Sequence, residues 1–336
     1  MKAAIIGLAG ITLDTAEAML IRRFQPAGAI LFARNVRDPA QLAALTAALR
    51  DVLPAHAVIA VDQEGGRVAR LRPPHWRVHP SAGQLGAVFE ADEAAGMRAT
   101  WLTGALIGLD CADAGFDVVC APVLDLRVPG AHDVVGDRAY SAKPNIVARM
   151  GRAMADGLLA AGLQPVAKHA PGHGRTVVDS HLDLPRVDAG QDLTADLRPF
   201  TLCAGLPWMM TAHLLYEGFD ADWPGTLSAI VIRKAIRGRI GFQGVLVSDD
   251  LAMNALSGTP GERAARAVAA GCDLAMHCSG AASDTADVLQ ASPEITEAAL
   301  NRLAIARAMA ASSRQALDGA ALAAERDGLL AKAATA

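Results

Sequence analysis

The segment from His169 to His181 has the composition of a reactive loop. It holds three histidines, an aspartate, a proline and two glycines within thirteen residues, which is unusual for a loop that is merely solvated. Histidine exchanges protons near neutral pH, and an adjacent carboxylate can orient the ring and stabilise its protonated form. Asp179 stands two residues before His181, and this spacing indicates a general acid/base pair. The Pro-Gly-His-Gly stretch is typical of a loop that closes over a substrate.

A carboxylate that follows an apolar run is the second chemical signal. Asp249 comes after the run 244–247, separated from it only by Ser248. A carboxylate at a strand end can attack an anomeric carbon and form a covalent glycosyl-enzyme, which water later resolves. Glycosidases commonly use a second carboxylate as the acid, and here an Asp–His pair would take its place. For the next residue, Asp250, we expect a helix-capping role.

Eight short apolar runs must position these groups. Continuous apolar runs, in contrast to alternating ones, are typical of strands buried on both faces, as in a parallel sheet. The runs are residues 3–7, 28–32, 57–61, 116–121, 164–167, 208–211, 244–247 and 272–276. Helical spacing between them is clearest in residues 39–53, 91–109, 143–161 and 261–270. This alternation predicts an α/β protein with a single (β/α)8 TIM barrel over residues 1–336, ending in an Ala-rich helix and tail from about residue 306.

The polar residues that interrupt this pattern follow the C-terminal ends of the predicted strands. They lie in residues 62–67, at Asp125, in residues 136–138, in residues 168–181, at His213 and in residues 248–250. Barrel enzymes assemble their active sites at that rim, so segments far apart in the sequence are expected to converge there. Lysine is rarely buried without a partner, which favours a functional role for Lys168 and His169. Asp125 fits a structural role and a functional one equally well.

Two alternative interpretations have weaker support. Gly7-Leu8-Ala9-Gly10 is only a fragment of a dinucleotide-binding fingerprint, so a doubly wound sheet is disfavoured. The three histidines of residues 169–181 and Asp249 are residue types that ligate zinc in metal-dependent barrel hydrolases. Lys168 and several arginines would repel a cation, and no HxH pair follows the first strand, so we expect no metal.

The composition disfavours several classes of partner. The net charge is 31 − 35 = −4 without a basic run, so no nucleic-acid partner is predicted. No stretch approaches the ~20 apolar residues that span a bilayer, so no membrane association is predicted. The five cysteines form no CxxC pair, and we interpret them as buried thiols of a reducing compartment. The apolar N-terminus is cut short by Asp14, which indicates a first strand instead of a signal peptide and hence a cytoplasmic location.

Several of these segments match a known signature in their order along the chain. Residues 168–174 (KHAPGHG) followed by residues 179–181 (DSH) resemble the KH(F)PGHG…DSH signature of glycoside hydrolase family 3 β-N-acetylglucosaminidases of the bacterial NagZ type. Further similar segments are residues 30–35 (ILFARN), 61–68 (VDQEGGRV), 121–125 (APVLD), 136–141 (GDRAYS), 210–213 (MTAH) and 248–253 (SDDLAM). Ala170 stands where the family often has a bulky residue, and Tyr140 where phenylalanine is common.

The resemblance implies a role for each matching position. Asp249 would be the nucleophile, and His181 the proton donor and then acceptor, with Asp179 as its partner. The residues that would bind the sugar are Asp62, Arg70, Arg138, Lys168 and His169. The implied reaction removes a terminal N-acetylglucosamine from GlcNAc-anhydro-muropeptides during peptidoglycan recycling in the cytoplasm. No cofactor is implied.

Three rival functions remain open on the sequence. A phosphorylase of the same family is one, because a histidine acid leaves no carboxylate to repel phosphate. A β-glucosidase or β-xylosidase of the family is another, and the Asp179-Ser180-His181 segment disfavours it. A sugar-binding sensor on a decayed barrel would have lost a catalytic residue, whereas Asp179, His181 and Asp249 are all present.

Overall fold

The computed structural model of the chain describes residues 1–128, 135–175, 184–253 and 256–334. Eight parallel strands close into a barrel, each paired with the next and the last with the first. They are β1 (Lys2–Gly7), β2 (Pro26–Leu31), β3 (Val58–Val61), β4 (Val118–Val119), β5 (Gln164–Ala170), β6 (Trp208–Thr211), β7 (Val245–Asp250) and β8 (Leu274–His277). The predicted (β/α)8 barrel is confirmed.

Helices cover the outside of the barrel. They are α1 (Thr15–Phe24), α2 (Pro39–Arg50), α3 (Ala82–Ala91), α4 (Glu93–Asp113), α5 (Pro144–Ala160), α6 (Thr194–Leu202), α7 (Ala229–Val231) with a π-helix over Ile232–Ile240, α8 (Pro260–Ala270), α9 (Ala282–Ala291), α10 (Glu297–Ser313) and α11 (Gly319–Ala334). Side-chain caps fix several starts, as where the Thr259 hydroxyl accepts from the Glu262 N–H before α8. None of the helices in the described ranges is long and apolar enough to cross a membrane.

The hydrophobic core has two layers, one inside the barrel and one between the barrel and its helices. Ile5, Val58 and Trp208 fill the interior, while neighbouring strand residues such as Ile6 and Ile59 pack outward against the helices. Both faces of each strand are therefore buried, which is why the strands read as continuous apolar runs. The one polar atom of the interior Trp208, Nε1, donates to Gln164 Oε1 at 2.9 Å.

Two strands extend well beyond the C-terminal ends that the sequence pattern predicts. The predicted fifth strand stops at residue 167, whereas β5 continues to Ala170 because Ala170 pairs with Thr211 of β6. Likewise the predicted seventh strand stops at residue 247, and β7 continues to Asp250. Lys168, His169 and Asp249 consequently belong to the strand ends and not to the loops that follow. Such positions are more rigidly held than loop positions.

The chain after the eighth strand forms more regular structure than expected. Helix α10 begins at Glu297, where the Thr296 side chain caps it, ahead of the predicted start near residue 306. A second helix, α11, follows an extended segment in which Gln315 N–H donates to Ala160 O at 2.8 Å. A further two-stranded parallel sheet, Arg186–Val187 with Leu215–Tyr216, lies outside the barrel and has no counterpart in the predicted elements.

Candidate active site

A cavity of about 140 Å³ opens at the C-terminal ends of the barrel strands. Six of the eight site residues predicted from the sequence line it, namely Asp62, Arg70, Arg138, Lys168, His169 and Asp249. The other two, Asp179 and His181, lie outside the described residues. Ile30, Met210 and Met276 belong both to the cavity lining and to the barrel interior, so the cavity has a closed floor.

Asp62 pairs with two cations in the wall of the cavity. Its Oδ1 accepts a hydrogen bond from Lys168 Nζ at 2.5 Å, and its Oδ2 accepts one from Arg70 Nη2 at 2.8 Å. The Lys168 side chain is only 3% exposed, so its charge depends on carboxylate partners. Burial would lower the pKa of Lys168, but the charges of Asp62 and Glu64 raise it above the ordinary value. The peptide bond between Lys168 and His169 is cis.

Glu64 holds the same lysine from the other side. Its Oε1 lies 2.6 Å from Lys168 Nζ and accepts from Arg138 Nη2 at 2.8 Å, while its Oε2 accepts from Arg138 Nε at 2.9 Å. Burial would raise the pKa of Glu64, but the charges of Arg138 and Lys168 hold it well below its usual range. Asp62 was a predicted site residue and Glu64 was not, and no local pattern in the sequence distinguishes the two carboxylates.

His169 is fixed by the buried carboxylate of Asp125. Asp125 Oδ2 lies 2.7 Å from His169 Nδ1, and Asp125 Oδ1 accepts from the His173 N–H at 2.7 Å. Burial would raise the pKa of Asp125, but the charge and hydrogen bond of His169 lower it. Asp125 does not line the cavity, so it supports a residue that does.

Asp249 presents an ionised carboxylate to the cavity. Burial would raise its pKa, but the charges of His213 and His169 and the N–H of Asp250 lower it to about 2. That N–H donates to Asp249 Oδ1 at 2.8 Å, and the Asp249 N–H donates to Thr211 Oγ1 at 3.3 Å. An unprotonated carboxylate at neutral pH is the state that a nucleophile requires.

A carboxylate of low pKa beside a wall of hydrogen-bond donors, at the C-terminal rim of a barrel, suits the cleavage of a sugar bond. Residues 4–310 match the family described as Glycosyl hydrolase family 3 N terminal domain. The chain belongs to this family.

Relatives of this family 3 hydrolase are named for their activity on hexosaminides. A β-hexosaminidase of Alkalilimnicola ehrlichii is 41% identical over 280 residues, which cover 82% of this chain and 80% of that one. NagZ from Neisseria gonorrhoeae, in complex with N-trifluoroacetyl-D-glucosamine, superimposes with a TM-score of 0.86 at 29% identity, covering 99% of this chain and 98% of that one. A family 3 β-N-acetylglucosaminidase of a Paenibacillus species gives a TM-score of 0.82 at 34% identity, and the match covers 94% of this chain but 62% of that one. The chain is a glycoside hydrolase of the β-hexosaminidase type.

A hydroxyl and imidazole network stands behind Asp249 of the family 3 hydrolase. His213 is buried, with Nε2 at 2.8 Å from the Asp250 carbonyl and Nδ1 at 2.8 Å from Thr226 Oγ1. A carbonyl only accepts, so Nε2 carries a hydrogen. Thr226 in turn bonds Thr211, whose hydroxyl accepts from Asp249 N–H. His213 was flagged by its place after the sixth strand, although the sequence assigned it no role.

The Asp250 carboxylate has a structural role, but it does not cap a helix, which was the role expected from the sequence. Its Oδ1 accepts from the N–H groups of Ala252 at 2.8 Å and Cys278 at 2.9 Å. It therefore joins the turn after β7 to the end of β8, and α8 is capped by Thr259 instead. The difference arises because several residues, and not one, separate Asp250 from the next helix.

The second strand, β2, also ends at the site, although the sequence assigned no functional residue to its C-terminal end. Phe32 lines the cavity and lies under the guanidinium groups of both Arg34 and Arg70, each 5.2 Å from the ring centre. Arg34 donates to the carbonyls of Leu8 and Cys278. A Cβ on Gly7 would lie 2.5 Å from the Cys278 carbonyl oxygen. Close packing at the rim therefore explains the glycine at this position, and a dinucleotide-binding motif is not needed to explain it.

The five cysteines are free thiols and all are buried, as interpreted from the sequence. Two of them, Cys120 and Cys278, line the cavity. Burial raises the pKa of Cys120 to about 12, so its thiol is uncharged at neutral pH and is a poor nucleophile. Within the described ranges, no group of three or more His, Cys, Asp or Glu side chains is placed to hold a metal ion.

Proposed function

We propose that this family 3 hydrolase is a retaining exo-β-N-acetylglucosaminidase that works through a covalent glycosyl intermediate on Asp249. The observation that carries the proposal is the Asp249 carboxylate, held ionised at the end of β7 inside a cavity with a closed floor. A closed cavity admits the end of a glycan and not its middle, which fits an exo-acting enzyme. The N-trifluoroacetyl-D-glucosamine complex of Neisseria gonorrhoeae NagZ supports a glucosaminide as the bound sugar.

The donors in the wall would bind the hydroxyl groups of the sugar. Lys168, Arg70 and Arg138 supply N–H groups, while Asp62 keeps acceptor capacity beyond its two ion pairs. His169 would add a ring nitrogen fixed in orientation by Asp125. Charged groups already ion-paired before the sugar arrives need little reorganisation on binding.

The proton for the leaving oxygen must come from a group other than these. Asp249 has a pKa of about 2, and Asp62 is ion-paired with Lys168 and Arg70, so neither carboxylate is suited to donate a proton. Burial and the charge of His169 lower the pKa of His173 to about 4, which leaves its ring neutral at pH 7. The proposal therefore gives the acid role to His181 with Asp179 as its partner, as the family signature implies.

In the first step, Asp249 attacks the anomeric carbon while His181 protonates the departing oxygen, and the aglycone leaves. In the second, His181 takes a proton from water, which attacks the same carbon and releases the sugar with its original anomeric configuration. For the substrate we propose muropeptides of the recycled cell wall, handled in the cytoplasm. The free thiols suit such a reducing compartment.

The test compares p-nitrophenyl N-acetyl-β-glucosaminide with the glucoside, each with and without phosphate. Fast cleavage of the N-acetyl substrate alone, unaffected by phosphate, is expected. A preference for the glucoside would overturn the choice of sugar. Release of a sugar 1-phosphate would make the enzyme a phosphorylase, which a histidine acid permits because no carboxylate repels the phosphate.

A further inference from the structure

We propose that Glu64 is a positioning residue that holds Lys168 and Arg138 in the geometry needed to bind the sugar. The inference rests on the proposed function only in that these two cations are taken to contact substrate. Glu64 itself does not line the 140 Å³ cavity. It faces a separate space of about 10 Å³ beside Ser81 and Tyr140, which holds at most about one water molecule. A direct contact between Glu64 and a sugar is therefore not expected.

The contacts of Lys168 show what Glu64 contributes. An ammonium group has three N–H donors. Asp62 Oδ1 at 2.5 Å and Glu64 Oε1 at 2.6 Å are its two carboxylate partners in the described part of the chain. One donor is left for a ligand in the cavity that Lys168 lines. Lysine is a flexible side chain, and two carboxylates on opposite sides fix where that third donor lies.

Arg138 is fixed by the same carboxylate. Its Nε and Nη2 both donate to Glu64, at 2.9 and 2.8 Å, which defines the plane of the guanidinium group. A single hydrogen bond to Glu64 would not define that plane. Arg138 also approaches His169, with Nη2 3.5 Å from Nε2. Glu64 thus joins a residue that follows β4 and a residue at the end of β5 to the loop after β3, as one rigid wall.

The loop that carries Glu64 is itself held firmly. The N–H groups of Glu64 and Gly65 donate to the carbonyl of Val68 at 2.9 and 3.2 Å. Gly65 has a φ of +100°, and a Cβ there would lie 2.3 Å from the Pro80 carbonyl oxygen, so the loop packs closely on its neighbour. The Glu64 side chain is 7% exposed. Because the loop is held firmly, a shift of the Glu64 carboxylate would move Lys168 and Arg138, since the loop cannot adjust to compensate for it.

A positioning role predicts a particular kinetic signature for Glu64→Gln. The amide keeps the shape but turns an acceptor toward Lys168 or Arg138 into a donor and removes the charge. The bound sugar contacts both cations before and during the reaction, so the loss falls on KM and not on kcat. KM for p-nitrophenyl N-acetyl-β-glucosaminide and the inhibition constant of N-acetylglucosamine should rise together by roughly 10- to 100-fold. The value of kcat should stay within a few-fold of the wild type.

The control and a second variant keep the test decisive. Glu93→Gln also removes a carboxylate from an arginine, Arg149, but on an exposed surface, and should leave KM and the inhibition constant unchanged. Glu64→Asp keeps the charge but cannot reach both cations, and should give an intermediate rise. If Glu64→Gln does not fold, Glu64→Asp alone is compared with the wild type, and a joint rise in KM and the inhibition constant is the criterion.

KM, the inhibition constant and the melting temperature together distinguish a positioning role of Glu64 from a purely stabilising one. A parallel rise in KM and the inhibition constant, graded from Glu64→Asp to Glu64→Gln, supports the positioning role. Wild-type values of both with a lowered melting temperature would overturn it, since Glu64 would then act on stability alone. A wild-type enzyme that does not cleave the aryl N-acetylglucosaminide would instead reject the proposed function, which is measured first.

Discussion

At the scale of single residues, charge decides which groups of the cavity can take part in which step. Asp249 is kept ionised by the charges of His213 and His169 and by one backbone N–H, in spite of its burial. Asp62 and Glu64 are each bound to two cations. These three carboxylates are therefore suited to attack or to hold, and the proton donor that we propose is His181.

The proposed acid role of His181 gives a prediction about leaving groups. In His181→Ala, substrates with poor leaving groups should lose far more activity than activated aryl glycosides, because the latter need little protonation. General acid catalysis commonly contributes about 10²–10⁴-fold, and the larger losses are expected for alkyl aglycones. The measurement is kcat/KM for a series of aryl and alkyl N-acetyl-β-glucosaminides. Equal losses across the series would remove His181 from the acid role.

At the scale of elements, helix α11 supports the loop that carries the site carboxylates. Arg326 of α11 is 4% exposed, and its Nη1 lies 3.2 Å from Nδ1 of the buried His79. The other ring nitrogen of His79 lies 3.0 Å from Asp110 of α4. The His79 carbonyl accepts at 2.9 Å from the N–H of Gly66, which lies two residues after Glu64 in the chain. The C-terminal helix is thus connected to the rim of the barrel.

Replacing this arginine should lower stability. Arg326→Met leaves His79 Nδ1 buried without its donor, which costs about 1–3 kcal/mol and lowers the melting temperature by several degrees. Arg98→Gln is the matched control, because it breaks an ion pair between α4 and α11 whose partners are both 44% exposed. That pair should contribute less than ~1 kcal/mol. Equal melting temperatures for Arg326→Met and the wild type would contradict the supporting role.

The same histidine predicts how stability depends on pH. Burial lowers the pKa of His79 below 6.5 although the hydrogen bond and charge of Asp110 oppose the shift, and the charges of Arg326 and Arg77 add to the lowering. The unfolded chain then binds more protons than the folded one below pH 6.5, so stability is lost as the pH falls through that value toward the folded pKa. His173, whose pKa is about 4, adds to the loss in the same direction.

Urea unfolding between pH 7.5 and 5 measures this loss. His79→Gln cannot titrate and should show a shallower decline than the wild type. His56→Gln changes an exposed histidine and should show the full decline. A wild-type stability that is constant over this range would contradict the buried neutral state of His79.

At the scale of the whole molecule, the sequence predicts the barrel well because a strand buried on both faces appears in the sequence as a continuous apolar run. Each of the eight apolar runs coincides with one barrel strand. The polar residues that follow them gather at one rim for the same geometric reason. The C-terminal ends of β5 and β7 were predicted too early, because pairing with the neighbouring strand, and not local composition, extends these two strands.

What the sequence does not predict depends on contacts between distant residues. Lys168 and Asp62 are 106 residues apart, and Arg138 and Glu64 are 74 apart, so no local pattern relates them. For the same reason the short sheet outside the barrel and the packing of α11 were not foreseen. Asp125 had no decided role until its hydrogen bond to His169 was known.

Trapping the glycosyl intermediate tests directly whether Asp249 is the nucleophile. The wild-type enzyme is incubated with a 5-fluoro N-acetylglucosaminyl fluoride, digested, and analysed by mass spectrometry, with Asp249→Ala as the control. We expect one sugar attached to the peptide that contains Asp249 in the wild type and none in Asp249→Ala, which should also lack turnover. A sugar on another residue, or the absence of any adduct together with inversion of the anomeric configuration by NMR, would contradict Asp249 as the nucleophile.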